Sequence, residues 1–268
     1  MFVQDLYIYP IKSLGGIKTK SSLALQRGFE FDRRLMLVDE KGRFITQRVY
    51  HQLALLQTEI AEAGILITHK QHPELNTIVP FNHTREETIT VSIWDDTVEA
   101  FHLNEELDEW FSAFLQFPCR LVYLPEDGTR AVDTRYAENG EQVSFADAFP
   151  YLLIGQASLD DLNTRLTEAV PMDRFRPSIV VAGSPAFDED TWKEIKIGEV
   201  RFKVAKPCAR CVLTTVNQET GIKGKEPLLT LSRYRTANNK VLFGQNLIAL
   251  NEGIIKEGDQ LEVLAYKD

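Results

Sequence analysis

Alternation at period two restricts this chain more than any other feature. Val200, Phe202 and Val204 alternate with Arg201, Lys203 and Ala205, and Ile89, Val91 and Ile93 alternate with Thr88, Thr90 and Ser92. Successive side chains of a strand point to opposite faces, so such runs specify half-buried β-strands. Residues 2 to 9, 64 to 68, 241 to 250 and 261 to 265 read as further strands, and residues 195 to 197 pair with 200 to 204 across Gly198-Glu199. Leu35 to Val38 and Arg43 to Arg48 read as a hairpin across Lys41-Gly42.

Helical spacing is confined to short stretches. Asn104 is placed as an N-cap, with Leu107, Trp110, Phe111, Phe114 and Leu115 as the apolar stripe of a core helix. Ser158-Leu159-Asp160-Asp161 reads as a capping-box start for a second helix. A polar stretch from Pro125 to Gly140, with Asp127-Gly128 and Asn139-Gly140 as turn dipeptides, puts a boundary near residue 123 of the 268, and the length suits two compact units. Tyr234 to Asn239 reads as a surface loop.

Composition excludes some functions. A net charge of -9 argues against nucleic acid or an anionic membrane as partner, while leaving room for a local basic pocket. Three cysteines cannot make a disulfide framework, which points to a reducing compartment. The N-terminus lacks a basic and apolar leader and no run reaches ~20 apolar residues, so a cytoplasmic protein without a membrane anchor is expected.

Lys206 to Thr215, Lys-Pro-Cys-Ala-Arg-Cys-Val-Leu-Thr-Thr, holds two of the three cysteines. Pro207 lacks an amide donor and is expected to end the strand before it, with Val212 to Val216 as the next strand. Cys208 and Cys211 then lie in a connector. Spacing alone leaves several readings: half of a zinc site, for which none of the five histidines has a second-ligand spacing; a redox dithiol, for which a helix should follow; or two packed thiols. Cys119, far from both, reads as structural.

A resemblance separates these readings. Lys206 to Thr215, Gly221, Lys225-Glu226-Pro227-Leu228 and Arg174-Phe175-Arg176-Pro177 resemble the MOSC domain. Tyr9-Pro10-Ile11-Lys12-Ser13, Asp32-Arg33-Arg34 with Leu35 to Asp39, and Thr46-Gln47-Arg48 resemble the β-barrel domain that precedes it, and Phe145 to Asn163 joins the two. The similarity spans nearly the whole chain, and its order and spacing are specific where single motifs would be weak. It implies a mainly β fold with α+β elements: a MOSC N-terminal β-barrel-like domain over residues 1–122, then a MOSC β-barrel with a few helices over 123–268.

The resemblance also implies chemistry: a molybdenum-cofactor (Mo-molybdopterin) oxidoreductase that reduces N-hydroxylated compounds, with a separate electron-donor protein. Cys211 would be the molybdenum ligand and catalytic residue, a soft thiolate suited to that metal. Lys12, Ser13, Arg33 and Arg176 would hold the cofactor's phosphate and pterin, joined by Asp147, Ala148, Phe149, Ser178, Ala209, Arg210 and Asn246. Ala148 and Phe149 stand where some relatives have hydroxyls, so backbone contacts are expected there; Ser178 stands where asparagine is common. Arg174 would be a supporting or surface charge. Blander readings stay open: Lys12-Ser13 as a solvated loop, Asp32-Arg33 as a surface ion pair, Asn246 as a strand amide. The competing function is a cofactor or sulfur carrier without turnover.

Overall fold

The computed structural model describes residues 1–82 and 87–267, and the chain is mainly β, as expected. Its largest sheet runs, in spatial order, Leu261–Tyr266, Trp192–Ile197, Val200–Ala209, Lys240–Ala249, Tyr151–Gly155, Ile179–Ala182, Phe2–Ile8 and Ile17–Thr19. Its neighbours are antiparallel except Tyr151–Gly155 with Ile179–Ala182. The first strand of the chain therefore lies inside a sheet otherwise built mostly from residues beyond 150. A four-stranded sheet orders Leu35–Asp39, Cys119–Tyr123, Asp96–His102 and Glu87–Ile93, and a three-stranded sheet joins Leu56–Ala61, Gly64–His69 and His72–Pro80.

The alternating apolar positions fill the core. Val200, Phe202 and Val204 pack with Trp192, Ile195, Tyr151 and Leu247, while Arg201 points out. The helix Glu105–Leu115 starts where the capping residue puts it, with Asn104 Oδ1 accepting from Leu107 N at 2.9 Å. Its Leu107, Phe111 and Leu115 are buried against Leu121 and Leu35.

Several local expectations are corrected. Pro207 does not end its strand: Val200–Ala209 continues through it, with register shifts at Val204/Lys206 and Pro207/Ala209. A proline without an amide proton is accommodated at such irregularities, which re-aim the residues that follow. Opposite them Gly244 has φ +79, and a Cβ there would lie 2.7 Å from Ile154 Cγ1 and 2.9 Å from the Leu153 carbonyl, so only glycine lets the strands approach. Val212–Thr215 is a 3-10 turn rather than a strand. The Thr214 and Thr215 hydroxyls donate to the carbonyls of Cys211 and Val212, three residues back, and local bonds of this kind outcompete β propensity.

The second helix, Gln156–Thr164, starts two residues before Ser158, which is buried within it and donates to Glu189 instead of capping. Arg43, Phe44 and Ile45 pair with Asp39, Val38 and Leu37, but the chain turns at Thr46, so the hairpin stops short of Arg48. Of Tyr234 to Asn239, read as a surface loop, Tyr234 ends the helix Leu228–Tyr234 and Thr236–Ala237 form a short strand before a turn at Asn238 and Asn239. Among the described residues no helix is long and apolar enough to cross a membrane.

Candidate functional site

Three loops are laced together at one end of the large sheet. Lys12 N donates to Leu35 O at 2.8 Å, Arg33 N to Tyr9 O at 2.8 Å and Phe145 N to Arg33 O at 2.9 Å. These bonds place Lys12, Arg33 and Asp147, distant in sequence, around one cleft. Arg176 reaches it from the 3-10 turn Met172–Phe175, and Cys208 to Cys211 reach it from the end of the irregular strand.

All twelve residues singled out from the sequence line this cleft: Lys12, Ser13, Arg33, Asp147, Ala148, Phe149, Arg176, Ser178, Ala209, Arg210, Cys211 and Asn246. Three of them, Ser13, Arg33 and Arg176, adopt left-handed backbone with φ 74, 50 and 53. Such conformations cost roughly 1–3 kcal/mol each outside glycine and persist where surroundings impose them. Arg174 lies in the 3-10 turn Met172–Phe175 and Arg176 just after it. Arg174 is buried and donates to the Thr214 and Glu226 carbonyls, which fixes the turn after Cys211.

The charge balance is the main physical fact of the site. In a chain of net charge -9, five cations, Lys12, Arg33, Arg48, Arg176 and Arg210, line the cleft against one carboxylate, Asp147. Lys12 Nζ donates to the Phe145 carbonyl at 2.8 Å and to Asp147 Oδ1 at 2.6 Å, and Arg48 reaches the other Asp147 oxygen at 2.8 Å. Burial of Lys12 pushes its pKa down to about 8, against the pull of Asp147. Burial would raise the Asp147 pKa, but Lys12 and Arg48 outweigh it and hold the carboxyl below its ordinary range. Arg33 pairs with Asp32, 1% exposed, at 2.6 Å, so this pair is interior rather than on the surface.

Arg176 differs from the others. It donates to the Leu14 carbonyl at 2.6 Å and lies over the Tyr9 ring at 4.2 Å, but has no carboxylate partner among the described residues. Burial pushes its pKa down to about 10, which leaves it charged at neutral pH. Arg210 donates to Cys208 Sγ at 3.0 Å and to the Phe175 carbonyl at 2.6 Å, while its Nε is buried with no partner. A buried guanidinium without a counter-ion, on the wall of this cleft, suits a bound anion.

Both thiols of the pair are half-buried and free, and Cys211 precedes the turn. Cys208 Sγ is engaged by Arg210, whereas Cys211 Sγ has no hydrogen-bond partner among the described residues. No group of three His, Cys, Asp or Glu side chains converges there to hold a metal by protein ligands alone, among the described residues. A metal at Cys211 would take its remaining ligands from a bound group. The donor set thus fits a phosphate-bearing cofactor that brings its own metal ligands. Asn246 Nδ2 lies 3.5 Å from the Pro207 carbonyl, a long contact, and Ser178 Oγ accepts from Leu152 N at 3.3 Å.

Sequence reading missed two organisers. Arg130, in the stretch taken as a polar linker, is 5% exposed and donates to Asp96 and to the carbonyls of Ser144, Ala146 and Asp147. Arg48 belonged to a recognised motif but received no role. Neither has a local pattern; the abundance of arginine in loops near Asp147 was the available signal.

The result is a basic, strand-framed cleft with two free, half-buried thiols, contributed by both ends of the chain. The chain belongs to the MOSC-domain family: residues 1–118 match the MOSC N-terminal beta barrel domain and residues 140–262 the MOSC domain. Among its relatives, mitochondrial amidoxime-reducing component 1 of Mus musculus is 32% identical, the match covering 98% of this chain and 82% of that protein. Mitochondrial amidoxime reducing component 2 of Rattus norvegicus is 34% identical over 96% of this chain and 81% of that protein. Molybdenum cofactor sulfurase of Oryza sativa subsp. japonica is 31% identical over 96% of this chain but 33% of that protein. The solved YUAD protein from Bacillus subtilis aligns over 97% of this chain and 93% of that one, with TM-score 0.45 and 10% identity.

Proposed function

We propose that the cleft holds a molybdenum-pterin cofactor ligated by Cys211 and that the protein reduces N-hydroxylated compounds such as amidoximes. The observation that carries this reading is the convergence of five cations beside an unengaged thiol in an acidic chain. The relatives named amidoxime-reducing components support it.

Lys12, Arg33 and Arg176 would hold the phosphate, with Ser13 adding a hydroxyl donor and Arg210 a further contact through its backbone or side chain. Asp147 keeps Lys12 and Arg48 in place through its two oxygens. Ala148, Phe149, Ser178, Ala209 and Asn246 would shape the walls around the pterin. Cys211 would supply the protein's thiolate, and Arg210 holds Cys208 away from that role by engaging its sulfur. When bound, the cofactor supplies the two-electron removal of oxygen from the N-hydroxyl group. The cleft would lie between units at 1–122 and 123–268. Electrons would come from a separate donor protein, and the protein would work in the cytoplasm.

Analysis of purified protein for molybdenum and pterin, then benzamidoxime reduction with reduced viologen, tests this. Bound cofactor with turnover is expected. Bound cofactor without turnover would favour a cofactor carrier, a reading supported by the match to one third of a molybdenum cofactor sulfurase.

A further inference from the structure

The motif Tyr9-Pro10-Ile11-Lys12-Ser13 gives Lys12 and Ser13 to the cleft, while Tyr9 does not line it. Tyr9 is 2% exposed and is held at both ends. Its backbone N–H donates to Asp32 Oδ1 at 2.7 Å, and the other oxygen of that carboxylate pairs with Arg33 at 2.6 Å. Its carbonyl accepts from Arg33 N at 2.8 Å. At the far end of the side chain, the hydroxyl donates to the Pro177 carbonyl at 3.1 Å, one residue beyond Arg176. Gly16 closes on the ring so tightly that a Cβ there would lie 2.3 Å from Tyr9 Cε1. The ring therefore has a fixed place between the chain segments that carry Arg33 and Arg176.

Both of those arginines lie over this one ring, Arg33 at 4.4 Å and Arg176 at 4.2 Å from its centroid. Two like charges brought to one ring repel each other, and they differ in what restrains them. Arg33 has the buried carboxylate of Asp32, whereas Arg176 has no carboxylate partner among the described residues and donates to the Leu14 carbonyl. The electron-rich face of an aromatic ring attracts a guanidinium most strongly where water is excluded, so the contact counts most for the buried Arg176. An aliphatic side chain of similar volume would fill the same space and attract neither cation.

From two guanidiniums over one buried and fixed ring, we infer that Tyr9 is a positioning residue, which holds Arg33 and Arg176 together against their repulsion so that both meet one anionic group in the cleft. Tyr9 acts through the arginines and does not touch that group. The inference rests on the reading of the cleft as a phosphate site for its purpose, but not for the clamp itself. An arginine already held in place has less side-chain freedom to lose when the anion arrives, and that saving appears as affinity.

The test changes the ring's charge at nearly constant shape. Tyr9→4-methylphenylalanine and Tyr9→4-chlorophenylalanine both lose the hydroxyl and put a substituent of nearly the same size in its place, but methyl feeds charge to the ring face and chlorine withdraws it. Binding of inorganic phosphate to the cofactor-free full chain, measured by calorimetry, is expected to be about fivefold tighter in the methyl variant. A side chain that only filled the core would give equal affinities, and that result overturns the inference. Melting midpoints in two backgrounds supply the second readout. The methyl variant should melt above the chloro variant, and the gap should shrink by at least about half once Arg176→Met removes one of the two cations. The same gap in both backgrounds, or none in either, overturns the clamp. If the unaltered protein binds no phosphate while the midpoints behave as expected, the clamp stands and the phosphate reading of the cleft falls instead.

Discussion

Cys119 and Cys211 show how differently two regions of this molecule use the same side chain. Cys119 is 4% exposed between a helix and a strand, its sulfur accepts from the Ser112 hydroxyl, and burial pushes its pKa up to about 11. Cys211 is half-buried in a cleft ringed by five cations. The first region minimises charge and exposure; the second concentrates cations that the fold must desolvate. A thiol is inert in one setting and available to a soft metal in the other, and the surroundings alone make the difference.

The largest expected effect breaks the comparison at its centre. Cys211→Ser should abolish molybdenum-dependent reduction, because a hydroxyl is a poor substitute for a soft thiolate, while Cys208→Ser retains most activity. Turnover and bound molybdenum in the two variants check this. Equal loss in both, with zinc present, would return the pair to a two-cysteine metal site.

Next come the cations, which the structure divides by partner. Arg33→Ala leaves buried Asp32 without its ion pair, so the cofactor-free protein should lose about 3–5 kcal/mol of stability. Arg176→Met removes a buried charge that has no carboxylate partner, so thermal stability of the cofactor-free protein should hold or rise while bound pterin falls at least tenfold. Comparing melting midpoints with pterin content across the pair tests this. A matched stability loss in both would mean that Arg176 supports the fold and not a ligand.

Lys12 gives an effect of intermediate size. Its pKa, lowered to about 8 by burial, lies below that of the unfolded chain, which keeps its proton to about 10.5. Raising the pH from 8 towards 10.5 therefore favours the cofactor-free fold, through this group, because the unfolded chain alone still binds the proton. An anion bound at the cleft has the opposite preference and holds the lysine protonated. Affinity for inorganic phosphate should fall as pH rises through 8, with proton uptake on binding that calorimetry in two buffers detects. An affinity flat across that range would detach Lys12 from the anion.

Legibility followed the range of the interactions. The helix at Glu105–Leu115 was readable because its cap and its apolar stripe lie within twelve residues, and the first part of the strand Val200–Ala209 was readable from alternation, though not its continuation through Pro207. The Val212–Thr215 turn was misread because its β-branched residues suit a strand, while the threonine hydroxyls and the distant Arg174 decide otherwise. The twelve cleft residues were found through family motifs, and no local pattern brings Lys12, Asp147 and Arg176 together. Arg130 was missed because its four acceptors lie 14 to 34 residues away and its own neighbourhood reads as a linker.

The smallest effect sharpens the contrast from the other side. Cys119→Ala should leave cofactor content and reduction unchanged and lower stability by only about 1 kcal/mol, the transfer free energy of one small buried group, because alanine keeps the Cβ and leaves little space. In a chain of this size that corresponds to a melting shift of about 2–4 °C. The backbone bond from Cys119 N to Ser112 Oγ at 2.9 Å survives the change, so the helix stays tied to its strand. Labelling with a thiol reagent in the cofactor-free protein gives the matching kinetic contrast. Cys208 and Cys211 should react within minutes at neutral pH, whereas Cys119, buried and with a thiolate fraction about a hundredfold below that of a free thiol, should wait for local opening of the helix. If Cys119 labels as fast as Cys211, the helix and strand part readily in solution, and burial cannot be what separates the two cysteines.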